Sequence, residues 1–303
     1  MMEILPPSDL PPFEVLFDRS ELNRALPPGL LGFVGNLGFP PPPPERPWVF
    51  ANFVQSLDGL VSFGGRRHSG EWVARSRPDR WMMDFLRAHA DAILCGARSL
   101  ALETLTGSIP GGPVYRIVYP ELLRYRSERL RRKKLIVIVV TGSGNLRPAD
   151  YRLFHSEDVD AWIATTSDGR ARLDDPAQTR VLVAGQGSVV DLGSLLRQLR
   201  SEHAIEYLLC EGGPTLYGHL VRGGWVDEKF VTIAPQEIGP GLPPEQELTD
   251  WEKSRATATR PTSFAGTGFS IEQAPWHRWI SCRKAGDHAL NRYRRTASAI
   301  VSV

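Results

Sequence analysis

The sequence is poor in cysteine, with only Cys95, Cys210 and Cys282 among 303 residues. The count is odd and no two of them form a Cys-x-x-Cys pair, so we expect no disulfide framework and predict a reducing, cytoplasmic environment. No two cysteines have the spacing of a zinc site either, and we predict no metal.

Long apolar runs and an excess of one charge are also missing. No stretch reaches the about 18–20 apolar residues that a helix needs to cross a bilayer, and the N-terminus lacks the basic and apolar regions of a signal peptide. The 36 lysines and arginines nearly balance 34 aspartates and glutamates, which argues against nucleic acid as a partner. We therefore expect a protein that binds neither membrane nor nucleic acid and acts on a small molecule.

Proline is abundant, with 25 residues, many of them before position 48. The unbroken run Pro40–Pro44 favours polyproline II conformation, because each ring fixes φ and removes a hydrogen-bond donor. Such a run could dock to an SH3-type domain, but only Arg46 supplies a basic residue beside it, so a rigid spacer is the favoured interpretation. We predict a proline-rich N-terminal extension over 1–47, one folded domain over 48–295 and a disordered tail over 296–303.

After residue 47 the sequence alternates between short apolar runs and amphipathic segments. Helices are indicated where Ser76 can cap a first turn that contains Asp79, and where leucines repeat on one face over 191–199. This alternation predicts an α/β fold with a mixed, mainly parallel sheet flanked by helices. The predicted strands are 48–54, 91–96, 134–140, 161–165, 180–184 and 206–210.

The C-terminal part has a different pattern. Residues 279–283 and 289–293 are two half-buried strands separated by a turn that contains Gly286, which predicts an antiparallel hairpin at one edge of the sheet. The stretch 239–262 is rich in proline, glutamate and threonine, and we predict a long surface loop there.

The clearest chemical motif directly follows the strand that ends at Cys210. A strand that ends in two glycines and is followed by a helix presents backbone N–H groups and the positive end of a helix dipole to an anion such as phosphate. The same residues are also typical of a tight turn with a purely structural role. By contrast, 185–187 lacks the third glycine of a dinucleotide fingerprint, and we predict a turn there. The motif is Glu211-Gly212-Gly213-Pro214-Thr215-Leu216-Tyr217.

A second group of polar residues lies at the end of the first predicted strand. Asn52 and Ser56 come at the carboxyl end of 48–54, where α/β sheets hold their ligands. Asp58-Gly59 follows and is also a strong turn signal. A binding role and a turn role therefore both remain open for this segment.

A third group stands in a helix-then-strand unit. Arg87 lies near the end of the predicted helix, and Ser99 and Glu103 follow the strand 91–96. Arg87 could be a solvated helix residue and Ser99 a helix N-cap, or these side chains could contact ligands.

Taken together, these motifs resemble the RibD C-terminal family, the pyrimidine reductases of riboflavin biosynthesis, whose domain is similar to dihydrofolate reductase. The resemblance extends from about Trp48 to Arg294. The motifs follow one another as N-x-x-x-S-L-D-G at 52–59, R-A-x-x-D-A-I-L-x-G-A-x-S at 87–99, E-G-G-P-T-L-x-G at 211–218, D-E at 227–228 and A-P-x-x-x-G at 234–239.

The resemblance implies an NADPH-dependent reductase, expected to be a homodimer, that transfers hydride to C1′ of the ribose of a ribosylamino-pyrimidine phosphate. It also implies roles for individual residues. The implied catalytic residues are Asn52 and Glu211, the substrate-binding residues Ser56, Ser69 and Arg87, and the cofactor-binding residues Ser99, Glu103, Gly212, Gly213, Pro214, Thr215, Leu216 and Tyr217.

The sequence also departs from the family pattern. Bifunctional relatives carry a zinc deaminase domain with a Pro-Cys-x-x-Cys motif, which this chain lacks, so we expect no deaminase activity. Residues 104–110 lack the D-P-x-L-T-x-R motif that bears on the substrate phosphate, and Ser99 and Glu103 replace the Thr and Asp of the family. Two alternatives therefore stay open: a reductase of a pterin or another conjugated imine or carbonyl, and a non-catalytic nucleotide-binding scaffold.

Overall fold

The computed structural model describes residues 3–107, 109–174, 179–242 and 259–296. Within these ranges the chain forms one sheet with helices on both faces. The strands are β1 (Glu14–Asp18), β2 (Trp48–Gln55), β3 (Ala92–Gly96), β4 (Leu135–Thr141), β5 (Val159–Thr165), β6 (Arg180–Val183), β7 (Tyr207–Cys210), β8 (Glu228–Ile233), β9 (His277–Ala285) and β10 (His288–Arg295).

The sheet has the order β1-β9-β10-β8-β2-β7-β3-β4-β5-β6. The strands from β8 to β6 pair in parallel, whereas β1, β9 and β10 pair antiparallel. The hairpin between β9 and β10 turns at Gly286, whose φ of 59° lies in the left-handed region that glycine favours. The predicted mixed, mainly parallel fold with an antiparallel C-terminal hairpin is confirmed.

The helices connect the parallel strands, and local capping sets where several of them begin. Ser76 accepts a hydrogen bond from the backbone N–H of Asp79 (3.3 Å) at the start of the helix Arg77–His89, as predicted. Asp191 caps the seventh helix through the backbone N–H of Ser194 (2.9 Å). The helices are α1 (Pro28–Val34), α2 (Glu71–Ala74), α3 (Arg77–His89), α4 (Ala97–Thr106), α5 (Pro120–Arg124), α6 (Ser167–Arg170), α7 (Leu192–Ser201) and α8 (Pro214–Arg222), with 3-10 helices at Gly65–Arg67, Pro148–Asp150 and Arg152–His155 and a π-helix at Tyr125–Arg129.

Two hydrophobic cores lie on opposite faces of the sheet. Along β2, Phe50 contributes to the core under α3, while its neighbours Val49 and Ala51 contribute to the core under α7 and α8. Successive side chains of a strand point to opposite faces, so a central strand that is apolar at consecutive positions is expected where both faces are covered.

The interpretation of the proline-rich N-terminal extension as a rigid spacer is wrong, because residues 3–47 pack against the rest of the fold. β1 pairs with β9, and Phe33 of α1 packs edge-on against Trp81 of α3 at 4.9 Å between ring centroids. The segment is also tied to the C-terminal hairpin by an ion pair between Arg283 and Asp18 (2.5 Å). Proline density indicates local stiffness, but it does not indicate whether a segment packs against a core.

Two other predictions fall only partly within the described residues. Of the predicted loop 239–262, residues 243–258 lie outside them, and Thr262 pairs with Leu60 in an isolated β-bridge. Of the predicted tail, 297–303 lies outside them as well.

Three further features characterise the described ranges. No helix there has the length and apolar character needed to cross a membrane. No group of three or more His, Cys, Asp or Glu side chains there could hold a metal ion. Cys95, Cys210 and Cys282 are free and buried.

Candidate active site

A cleft of about 590 Å³ lies at the carboxyl edge of the parallel strands. Its floor and walls come from the segments that follow β3, β4, β6 and β7, and residues 259–265 contribute the outer wall. Because parallel strands all end at this edge, their connecting loops and helix N-termini converge there, which is where open α/β sheets bind ligands.

Two glycine-containing turns meet at the centre of the cleft. The backbone N–H of Gly96 donates to the carbonyl of Gly212 (2.9 Å), which joins the end of β3 to the turn after β7. Gly212 has a φ of 95°, and the peptide bond between Gly212 and Gly213 is cis. A Cβ atom at Gly213 would lie 2.2 Å from the hydroxyl oxygen of Ser99 and 3.6 Å from the Cβ atom of Ser99, so a larger residue at this position would force the Ser99 hydroxyl into another rotamer.

The predicted cofactor-binding residues divide into two groups. Those that line the cleft are Ser99, Gly213, Pro214, Thr215 and Leu216. Tyr217 packs against Phe53 (4.8 Å between ring centroids) and is 4 % exposed. Gly212 and Glu103 are not among the residues that line the cleft, so their predicted contacts with a cofactor would be indirect.

Arg87 and Glu211 form a buried, bidentate ion pair. The guanidinium Nε and Nη2 donate to the two carboxylate oxygens of Glu211, each at 2.7 Å. The Nη1 of Arg87 donates to the carboxylate of Asp84 (3.1 Å) and to the carbonyl of Arg116 (2.7 Å). The Arg87 side chain is 4 % exposed, so its predicted role as a ligand of the substrate phosphate does not fit this geometry. Arg87 instead fixes the position of the Glu211 carboxylate.

The surroundings of this pair change its protonation. Burial alone would lower the pKa of Arg87, but the charges of Glu211 and Asp84 outweigh it and raise that pKa. Burial also raises the pKa of Asp84, although Arg87 and Arg80 oppose the effect. The guanidinium therefore stays charged and the arrangement is fixed by charge-assisted hydrogen bonds.

Glu103 is the carboxyl of the site whose protonation changes near neutral pH. Burial, together with the negative charge of Glu211, raises the pKa of Glu103 to about 7. Tyr115 is buried near it, and burial also raises the pKa of that phenol well above its ordinary value. Around neutral pH this site therefore holds one carboxyl that is partly protonated beside one that is ion-paired, which is a suitable arrangement for proton transfer.

Replacing Glu103 with glutamine should flatten the pH dependence of stability. With its pKa at about 7, against an ordinary 4.5, the folded protein binds the Glu103 proton more tightly than the unfolded chain does. The free energy of unfolding should therefore fall as pH rises from about 4.5 to 7, by about 2–3 kcal/mol. Urea denaturation across this range measures the fall, which Glu103→Gln should remove and Glu202→Gln, at an exposed position, should keep. An equal fall in all three proteins would contradict the raised pKa.

The other predicted residues are more scattered than the sequence suggests. Ser56 is fully buried; its hydroxyl donates to Asp58 (2.5 Å) and accepts from the backbone of Leu60 (3.0 Å). It therefore shapes a turn and does not face the cleft. Asn52 lies in a small pocket on the α3 face of the sheet with Thr232, and it makes no side-chain hydrogen bond to the part of the chain that the structure describes. Ser69 does not line the cleft, but its neighbour in the chain, His68, does.

Several cleft residues have no counterpart among the predictions. Gly142 and Val190 follow β4 and β6, so the rule that ligands bind beyond the carboxyl ends of strands could have indicated them. Arg260 comes from the long loop, where its Nε donates to the carbonyl of Phe63 (2.8 Å). No local motif marks Arg260, because the contact depends on how the loop folds back over the cleft.

Comparison with known proteins places this architecture in a family. The family model of the RibD C-terminal domain matches residues 47–262. Riboflavin biosynthesis protein RibD of Escherichia coli is 27% identical over 200 residues, which cover 64% of this chain and 49% of that protein. The 2,5-diamino-6-ribosylamino-4(3H)-pyrimidinone 5′-phosphate reductase of Methanothermobacter thermautotrophicus is 27% identical over 196 residues, covering 64% of this chain and 80% of the relative. The chain thus spans about half the length of the first relative.

Solved structures share the fold at lower identity. A deaminase/5-amino-6-(5-phosphoribosylamino)uracil reductase from Thermotoga maritima matches with a TM-score of 0.59 and 18% identity, over 83% of this chain and 57% of that one. A pyrimidine reductase-like protein from Corynebacterium diphtheriae matches with a TM-score of 0.56 and 18% identity, over 84% and 94% of the two chains. The family match covers most of the chain, from β2 to the outer wall of the cleft, and the chain therefore belongs to the RibD C-terminal domain family.

Proposed function

We propose that this chain is an NADPH-dependent reductase of riboflavin biosynthesis. Its substrate would be 5-amino-6-(5-phosphoribosylamino)uracil, reduced at the ribose to the ribityl product, without deaminase activity. The observation that carries the proposal is the meeting of the turns at Gly96 and Gly212-Gly213 beside the cleft. Family membership and the reductase named in the archaeal relative support the reaction class.

The residues of the cleft fit a nicotinamide dinucleotide. The N-termini of α4 and α8 open onto it, and unpaired N–H groups in a first helical turn favour phosphate. Leu102 and Leu216 supply apolar walls, while His68 and Arg260 supply basic groups. A volume of about 590 Å³ is in the range of small-molecule sites. When bound, the cofactor supplies the hydride.

The chain's own residues would position the reactants and provide a proton. Hydride addition at C1′ opens the ribose ring, so the ring oxygen that leaves C1′ needs a proton. We assign the source of that proton to Glu103, whose pKa of about 7 lets it donate near neutral pH. Because Glu103 does not line the cleft, the proton would reach the ring oxygen through a bridging water or hydroxyl. Glu211, held by Arg87, does not line the cleft either, and its negative charge would act by keeping the pKa of Glu103 high.

One observation favours a pterin or another unphosphorylated substrate as the second candidate. The guanidinium of Arg87 is engaged by two carboxylates, so the predicted ligand of a substrate phosphate is not free for that role. Such a substrate would use the same cleft and the same cofactor, with a conjugated imine or carbonyl as the hydride acceptor.

NADPH binding and substrate choice can be tested together. NADPH is expected to raise the melting temperature more than NADH, because ligand present at about 100 times its dissociation constant stabilises the folded state by about 2.7 kcal/mol. NADPH oxidation with the ribosylamino-pyrimidine phosphate should then exceed oxidation with dihydrofolate. The reverse order would favour the pterin alternative. Binding without turnover would favour the scaffold, and no thermal shift with either nucleotide would contradict all three. Homodimerisation remains a prediction that sedimentation can check.

A further inference from the structure

A cluster of arginines stands at the rim of the cleft, on and beside the segment 63–75. The guanidinium carbons of Arg75 and Arg260 lie 6.0 Å and 5.9 Å from the centroid of the Phe63 ring, so they are no more than about 12 Å apart. That of Arg67 lies 5.7 Å from the Trp72 ring. The Phe63 ring therefore holds two guanidinium groups near each other. Arg67 lies on the same short segment of the chain, and the exposed Arg66 precedes it.

These positive charges are not neutralised by carboxylates in the part of the chain that the structure describes. Arg66, Arg67, Arg75 and Arg260 form no salt bridge there, whereas Arg80 and Arg87 do. The segment has one acidic residue, Glu71, which is exposed and pairs with none of them. Neighbouring guanidinium groups repel one another, so an unneutralised cluster favours an anion between them.

The cluster is continuous with the cleft. Arg260 lines the cavity and also joins the rim, because its Nε donates to the carbonyl of Phe63. Its Nη1 donates to the carbonyl of Ile238 (2.7 Å), which fixes the guanidinium at the mouth of the cleft. A ligand that occupies the cleft can therefore place an anionic group against these arginines.

We propose that Arg66, Arg67, Arg75 and Arg260 form a binding site for a phosphate monoester at the rim of the cleft. The inference rests on the proposed function for the identity of the ligand, since either the 5′-phosphate of the substrate or the 2′-phosphate of NADPH could supply the group. Planar guanidinium groups bind phosphate oxygens through paired hydrogen bonds. Such a site would supply the positive charge that Arg87, held by Glu211, does not offer.

The test uses the double variant Arg66→Gln/Arg67→Gln, because both side chains are exposed and neither donates to a backbone carbonyl among the described residues. Arg278→Gln is the matched control: this arginine is also exposed, but it lies near the start of β9, at the opposite edge of the sheet. Three quantities are measured for each protein. They are the preference for the phosphorylated over the dephosphorylated substrate in kcat/KM, the preference for NADPH over NADH in Kd, and the shift in Tm with inorganic phosphate relative to chloride at equal ionic strength.

In the double variant, we expect one of the two preferences to fall about tenfold or more, while Arg278→Gln keeps both. Loss of the substrate preference assigns the site to the 5′-phosphate, and loss of the nucleotide preference assigns it to the 2′-phosphate. If the protein turns over no substrate, the proposed function fails, but a phosphate-dependent Tm shift that disappears in the double variant still supports the site. Unchanged preferences together with an unchanged phosphate shift would overturn it.

Discussion

Replacing Arg87 with methionine should destabilise the fold by about 3–5 kcal/mol, because it leaves the buried Glu211 carboxylate without its partner and removes the buried arginine from Asp84. The Glu211 side chain is 7 % exposed and that of Asp84 is fully buried. Methionine retains much of the apolar stem but supplies no donor to Glu211, Asp84 or the carbonyl of Arg116. Urea denaturation at neutral pH measures the loss as a shift in the transition midpoint.

Arg80 provides the control for this prediction. It pairs with the same Asp84 at 3.5 Å, but its side chain is 44 % exposed, and exposed ion pairs contribute about 0–1 kcal/mol. Arg80→Met should therefore cost less than about 1 kcal/mol. If Arg87→Met were no more costly than Arg80→Met, the description of Arg87 as the residue that fixes Glu211 would be wrong.

Replacing Gly142 with alanine should weaken NADPH binding about 10–100-fold, since the added methyl would displace one wall of the cleft. A Cβ atom at Gly142 would lie 2.0 Å from the carbonyl oxygen of Ser188, and both residues line the cleft. The loops after β4 and β6 are also joined by Thr166, whose hydroxyl lies 3.3 Å from the carbonyl of Gly142 and 2.7 Å from that of Gly187. Because the clash involves backbone, rotation of a side chain cannot relieve it.

Isothermal titration with NADPH gives the affinity of Gly142→Ala, and Gly32→Ala is its matched control. Gly32 lies within α1, and a Cβ atom there would meet nothing within 4 Å, so this variant should bind NADPH as the unmodified protein does. Gly142→Ala should also lose about 1–3 kcal/mol of stability from overpacking. Unchanged affinity in Gly142→Ala would show that the wall formed after β6 is not part of a nucleotide site.

The sequence predicts those parts of the fold that depend on interactions between residues close together in the chain. Apolar runs of strand length predict β2 to β7 because strands buried on both faces need them, and Ser76 marks the start of α3 because capping acts within one turn. β1 was missed because most of its residues are exposed, and an edge strand with little burial lacks a clear hydrophobic pattern. Its place in the sheet depends on pairing with β9, which lies more than 250 residues away in the chain.

The site was predictable only where its chemistry is local. The turn at Gly213 follows a strand and opens a helix, and both features are visible in a few consecutive residues. Arg87 differs, because its partner Glu211 is 124 residues away in the chain. The residues next to Arg87 in sequence do not show whether its guanidinium binds a ligand or a carboxylate of the protein. The predicted substrate-binding role of Ser56 failed for the same reason, because only the folded turn shows that the Ser56 hydroxyl donates a hydrogen bond to Asp58.

The most direct test of the proposed function follows the hydride itself. NADPH that carries deuterium at both positions of nicotinamide C4 is incubated with the enzyme and 5-amino-6-(5-phosphoribosylamino)uracil, and the product is examined by mass spectrometry and NMR. The proposal predicts a ribityl product with one deuterium at C1′. A product without deuterium at C1′, or no consumption of this substrate while NADPH binds, would contradict it.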